Sequence, residues 1–210
     1  MANNYTKPLI VTFARACFFS FFIVIDFFTI KLDINNSSAY GFGENGFVEW
    51  WQQIQLAISF IVLISALKNN KRLQPILLLM AGAMLVALIR EFNNFFIDYV
   101  FRGAWSILVI CTAIIFIYLV FKRRKDFLQS CLHFTKQPAY GMVLSGFFTT
   151  FIFSRLMGIP AFWQTILGHN YVKIAERIAE EGIETLGYSM ITCGIIDYVY
   201  FIRQENKMAA

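Results

Sequence analysis

"PILLLMAGAMLVALIREFNNFFIDYV", residues 75–100, runs from Pro75 to Ile89 without a charge and then sets Arg90, Glu91, Asn93, Asn94 and Asp98 among phenylalanines. A helix rises 1.5 Å per residue, so an apolar run of about 20 residues matches the roughly 30 Å of hydrocarbon in a bilayer. This stretch therefore reads as a membrane span, and it raises a second question: why a segment this apolar carries two acids and an arginine.

Working outward, the same reading extends to the whole chain. Its 210 residues are 58% hydrophobic, 18% aromatic and only 15% charged, outside the range of an average soluble domain. The periodicity predicts an all-α polytopic membrane protein, one transmembrane domain over residues 1–210, with six spans at 9–31, 50–67, 75–97, 103–121, 140–158 and 181–202. The first apolar run is long and no small-x-small cleavage site follows it, so it reads as a retained span and not a cleaved signal.

The net charge of +5 does not point to nucleic acid, because the lysines and arginines cluster in the short connectors between apolar runs. The first connector, "DINNSSAYGFGENGFVE" at 33–49, is acidic and rich in Asn, Ser and Gly. "KNNKR" at 68–72 and "KRRKDFLQSCLHFTK" at 122–136 are basic. If the N-terminus, these two basic connectors and the C-terminus share one side, eleven cations lie there against four opposite (Lys31, Arg102, Lys173 and Arg177). The positive-inside rule then places both termini in the cytoplasm, and a bacterial cytoplasmic (inner) membrane is the expected location. The sequons in "NNSS" at 35–38 matter only in a secretory-pathway host. "KRRK" at 122–125 is sufficiently explained as a topology determinant.

Trp50, Trp51, Trp105 and Trp163 all fall at outer span boundaries, where indole rings favour the headgroup region. The four cysteines form neither a disulfide framework nor a metal-ligand spacing. "GFGENG" at 41–46 lies in a loop and not between a strand and a helix, so its glycines read as turns and not as a phosphate cradle. The fifth connector admits two readings. The sixth span either starts early as one longer helix, or follows a short interfacial helix at "FWQTIL" and a break at Gly168. "VIDFF" at 24–28, "FIDYVF" at 96–101 and "IIDYVYF" at 195–201 resemble one another, but chance accounts for such likeness in a chain this rich in Ile and aromatics.

Depth counting answers the second question in part. Glu91 lies roughly 24 Å along the third span from Pro75, and Arg155 roughly 22 Å into the fifth, so both reach the outer third of the membrane. Asp26 lies near the outer end of span one, and Glu180, Glu181 and Glu184 open span six. Asp26, Arg90, Glu91, Asn94, Asp98, Arg155, Glu180, Glu181 and Glu184 thus define one candidate polar layer contributed by four helices. Glu91, Asn94 and Asp98 share a stripe if span three is continuous, and Glu180 and Glu184 stack one turn apart. An unpaired charge in a span costs about 2.5–3.5 kcal/mol on insertion scales, so these groups are expected to pair or to line water. A second pair, Arg15 with Asp197, is expected near the inner face.

A divalent metal on Glu91, Asp98, His169 and Glu184 is one use of such a layer, although neither E-x-x-H nor H-E-x-x-H is present. His169 alone reads as a loop histidine. Haem is disfavoured, because His133 and His169 fall on opposite sides of the membrane. No nucleophile motif or Walker loop is present. Three functions fit the layer: a transporter or channel for a cation, proton or proton-coupled small solute; a membrane-embedded enzyme with an acidic site for a lipid or quinone-like substrate; and a non-catalytic subunit or homo-oligomer whose faces fasten a membrane partner. A transport path needs polar steps through the inner half, where the sequence offers only Arg15, Ser145, Thr192 and Asp197.

Overall fold

The computed structural model describes residues 3–36 and 46–209, with side chains over 9–35 and 46–208. Most of the first connector, including 41–45 of the glycine-rich segment and the sequon serines, lies outside the described residues, as does the side chain of Lys7.

Every described element is helical: α1 (Asn3–Asn36), α2 (Phe47–Leu67), α3 (Gln74–Glu91), α4 (Asn93–Tyr99), α5 (Ala104–Lys122), α6 (Phe127–Thr135), α7 (Pro138–Phe148), α8 (Ser154–Met157), α9 (Pro160–Leu167) and α10 (Lys173–Ala209). A π-helical turn, Thr149–Phe153, joins α7 to α8. Six helical segments are long and apolar enough to cross a membrane: Leu9–Asn35, Phe47–Leu67, Lys71–Glu91, Ala104–Lys122, Pro138–Met157 and Lys173–Met208.

The last of these is the axis of the bundle. α10 packs against α7, α2 and α1, while α3 packs between α2 and α5. Its central positions Tyr188, Ile191, Ile195, Tyr198 and Ile202 are buried with Leu56 and Leu63 of α2 and Leu77 and Ala81 of α3. By contrast α1 and α5 are the least buried of the six and turn rows of Phe, Ile and Leu outward, the surface expected of helices that face lipid.

Small residues let α7 and α10 pack closely. A Cβ on Gly146 of α7 would stand 2.7 Å from the carbonyl oxygen of Gly187, and a Cβ on Gly194 would stand 2.7 Å from a Val143 methyl, so glycine lets these two backbones approach. At the other end of the chain, Asp33 of α1 reaches across to the start of α2. Its two oxygens accept the backbone N–H groups of Phe47 (2.6 Å) and Val48 (2.9 Å), a cap supplied from a neighbouring helix.

Three elements differ from the sequence reading. The third span does not run to residue 97: α3 ends at Glu91, Phe92 leaves helical geometry (φ −85°, ψ 13°), and α4 starts afresh. Gln53 of α2 donates to the freed Glu91 carbonyl at 3.2 Å, which satisfies the helix end that the break creates. The fifth connector holds both expected features at once: the short helix α9, a break at Gly168 with φ +53°, and an early-starting α10. Trp51, expected as a headgroup anchor, turns its indole N–H inward to Asp26.

Candidate functional site: a charged cluster and a polar ladder on α10

α10 carries two polar faces near the α9 end of the bundle. On the face toward α3 and α8, Glu184 is the hub, with a side chain only 3% exposed. Its Oε1 accepts Arg90 of α3 at 2.6 Å, and one terminal nitrogen of Arg155 from α8 is shared between both Glu184 oxygens at 2.8 and 2.7 Å. The other Arg155 terminal nitrogen pairs with Glu180, one turn earlier. Arg90 also pairs with its neighbour Glu91 at 2.7 Å, and the Tyr188 hydroxyl donates to Glu91 at 2.8 Å. Arg90 further lies over the Phe151 ring, 5.7 Å from its centroid.

Three carboxylates thus share two guanidinium groups in a region where charge is costly to isolate. The π-helical turn helps to make this possible. A turn with one extra residue shifts the register of the helix beyond it, and here Thr150 and Ser154 stay buried against α10 while Arg155 points along its acidic face.

On the face toward α1 and α2, the contacts form a ladder. Gln52 donates to Thr185 (2.8 Å) and to Glu181 (3.3 Å). Gln55 donates to Ser189 (2.8 Å) and to Asp26 of α1 (3.2 Å). Ser59 donates to Thr192 (3.0 Å), and Thr192 in turn reaches the Gln55 carbonyl (3.3 Å). Gln52, Gln55 and Ser59 are at i, i+3 and i+7, and Glu181, Thr185, Ser189 and Thr192 at i, i+4, i+8 and i+11, so each series lies on one helical stripe.

Asp26 is the only carboxylate joined to the middle rung among the described residues, and its two oxygens differ. Oδ1 accepts Trp51 (2.7 Å), Ser189 (2.8 Å) and Gln55 (3.2 Å). Oδ2 is buried with no hydrogen-bond partner among the described residues. Below the ladder, toward the opposite end, Arg15 of α1 pairs with Asp197 of α10, Arg203 donates to Ser65 (2.9 Å) and Asn206 donates to Asn70 (2.8 Å). Polar contacts of α10 therefore extend from Glu180 to Asn206, roughly 39 Å of helix.

The nine residues of the expected layer separate into three groups. Arg90, Glu91, Arg155, Glu180 and Glu184 meet in the charged cluster. Asp26 and Glu181 belong to the ladder on the other face of α10. Asn94 and Asp98 fall on α4 beyond the Phe92 break, where Asp98 is exposed, so the stripe with Glu91 does not form. His169 is exposed in the turn after α9, and among the described residues no three His, Cys, Asp or Glu side chains converge to hold a metal ion. The three D-containing look-alike segments share no role: Asp26 is buried, Asp98 exposed and Asp197 paired.

Gln52, Gln55, Ser59 and Thr185 were not singled out by sequence reasoning. For the three on α2, the signal that could have found them is the helical spacing of amides and hydroxyls within a segment rich in Ile, Leu and Phe. All four cysteines are free, and burial pushes the Cys131 thiol above its ordinary value, away from nucleophilic use.

No family model matches this chain, and no curated protein or solved structure matches it either.

Proposed function

We propose that this chain is an integral protein of a bacterial cytoplasmic membrane, with six spans and both termini in the cytoplasm, and that it moves protons or couples proton movement to a small solute or cation. The orientation rests on the eleven-to-four division of Lys and Arg between the two sets of connectors.

The observation that carries the transport reading is the ladder between α2 and α10. A one-sided reaction cavity needs polar groups only in the outer layer, whereas a path needs steps through the middle and the inner half. Rungs at Gln52–Thr185, Gln55–Ser189–Asp26 and Ser59–Thr192, followed by Arg15–Asp197, provide such steps. Intramembrane carboxylates with hydroxyl and amide neighbours mark proton and ion paths in transmembrane bundles. In this reading Asp26 is the proton-carrying group: three donors fix Oδ1, and Oδ2 is the atom at which a proton is taken up and released. The charged cluster around Glu184 forms the outer entrance.

The test is proton flux into liposomes reconstituted with the purified protein, driven by a potassium diffusion potential and read by an enclosed pH-sensitive dye. The expected result is flux above that of empty liposomes, lost at least tenfold in Asp26→Asn while the variant keeps the wild-type melting profile. Flux equal to that of empty liposomes across imposed proton and cation gradients, or an undiminished flux in a folded Asp26→Asn protein, would overturn the proposal.

A further inference from the structure

The end of the bundle opposite α9 holds a cavity of about 550 Å³ that the proton path does not use. It lies between the α2–α3 turn, α6 and the end of α10. The turn contributes Lys68, Lys71 and Arg72, α6 contributes Gln129 and His133, and α10 contributes Asn206. No acidic residue lines it, and Lys68, Lys71 and Arg72 make no ion pair among the described residues.

A row of cations at a span end needs only the positive-inside rule, but that rule neither builds a cavity nor fixes the turn that carries them. Here the turn is riveted from several sides. Buried Asn70 donates to the Ala66 carbonyl (2.6 Å) and accepts from Asn206 (2.8 Å). Gln74 donates to the Leu67 carbonyl (3.1 Å) and accepts from Arg123 (2.6 Å). The opposite wall is held as well, because the His133 ring lies between the Tyr198 hydroxyl (3.2 Å) and Glu205 (3.0 Å). The walls of the cavity are thus held in place before any ligand arrives, while the exposed cationic side chains stay free to turn toward it.

We propose that this cavity binds a phosphate-bearing anion, with Lys71 and Arg72 as its principal charge partners and Gln129 as a neutral donor. Lysine and arginine supply charge-assisted hydrogen bonds to phosphate oxygens, and arginine presents paired N–H groups that match them. A second cavity of about 680 Å³ shares Asn69, Asn70 and Asn206 with the first and adds Arg203 and Lys207, which leaves room for more than a bare phosphate. The same headgroup chemistry is offered by an anionic phospholipid and by a soluble phosphate.

The test uses the full chain in phosphatidylcholine nanodiscs, with phosphatidylglycerol mixed into the lipid in one arm and inorganic phosphate added to the buffer in the other. Binding is read by native mass spectrometry and by the shift in melting temperature. Wild type is expected to bind one of the two probes. A juxtamembrane cation contributes about fivefold to binding an anionic partner, so the double variant Lys71→Gln/Arg72→Gln should bind about thirtyfold more weakly. The charge-matched control Lys122→Gln/Lys125→Gln, outside the cavity, should bind as wild type does. Gln129→Leu, which leaves the net charge unchanged, should weaken binding severalfold. Preference for phosphatidylglycerol identifies a lipid site and preference for inorganic phosphate a soluble one; either supports the proposal. Equal losses in the two charge variants, or no binding of either probe by wild type, would overturn it. Proton flux is a separate readout, so failure here leaves the transport reading standing.

Discussion

Replacing Arg90 by Gln removes the guanidinium that joins Glu91 to Glu184. In the native cluster three carboxylates share two arginines; after the change, Glu180 and Glu184 depend on Arg155 alone and Glu91 retains only the Tyr188 hydroxyl. Deleting one partner of a buried ion pair costs about 3–5 kcal/mol. Two features of the site lower that figure: the Arg90 side chain is 34% exposed, and Glu184 keeps its contact with Arg155. The expected loss is about 2–3 kcal/mol.

The assay is reversible unfolding of the purified protein in mixed micelles of mild detergent and dodecyl sulfate, followed by circular dichroism. A second arm tests the cause. If the loss comes from stranded negative charge, Glu91→Gln placed on Arg90→Gln should restore about 1 kcal/mol or more, because coupled neighbours are not additive. A loss below about 0.5 kcal/mol in Arg90→Gln, or a double variant no more stable than the single one, would refute the view that these arginines hold the bundle by neutralising Glu184 and Glu91.

Other consequences are as direct. Gly187→Val sets a side chain against the Thr150 amide nitrogen and the Gly146 carbonyl, 2.8 and 2.9 Å from where its Cβ would stand; overpacking of this kind costs about 1–3 kcal/mol and should lower the melting temperature, with no change expected for substitution at open Gly141. Asp33→Ala leaves the first N–H groups of α2 uncapped and should destabilise by about 1–2 kcal/mol, with Asp33→Asn milder, as read by the same unfolding assay. In a cysteine-free background, Asp98→Cys should react readily with a membrane-impermeant maleimide in intact cells, whereas Thr192→Cys should stay protected until the protein is denatured; equal labelling of the two would contradict their placement.

The six long helices were legible because hydropathy and helical length are one-dimensional properties. Level along the helices was legible too: counting from Pro75 and from the start of span five brings Arg90, Glu91, Arg155 and Glu184 to one level, and they meet there. What counting cannot supply is azimuth. Glu181 and Glu184 are three residues apart and share a depth, yet one faces Gln52 and the other Arg155, because the neighbours of α10 differ on its two sides. The break at Phe92 carries no proline or glycine signal, and its stability depends on a hydrogen bond from Gln53 of another helix. Trp51 fits the pattern of an interfacial tryptophan in the sequence, but its N–H is taken by a buried carboxylate on α1. The π-helical turn likewise reflects tertiary demand, since Thr-Thr-Phe-Ile-Phe reads as ordinary span sequence.

The central place of α10 also sets a timetable for biogenesis. Ribosomes deliver α1 first and α10 after every other long helix, yet α10 supplies Ser189 to Asp26, Asp197 to Arg15, Glu184 to Arg90 and Arg155, and Thr185 and Thr192 to the amide and hydroxyl of α2. Each of those earlier helices is therefore made before the polar group on α10 that it will meet. Trp51 and Gln55 are made soon enough to shield Asp26, and Glu91 lies beside Arg90 on α3, whereas both carboxylate partners of Arg155, Glu180 and Glu184, come only with α10. The last long helix to be made is thus the one that completes the polar contacts of the bundle.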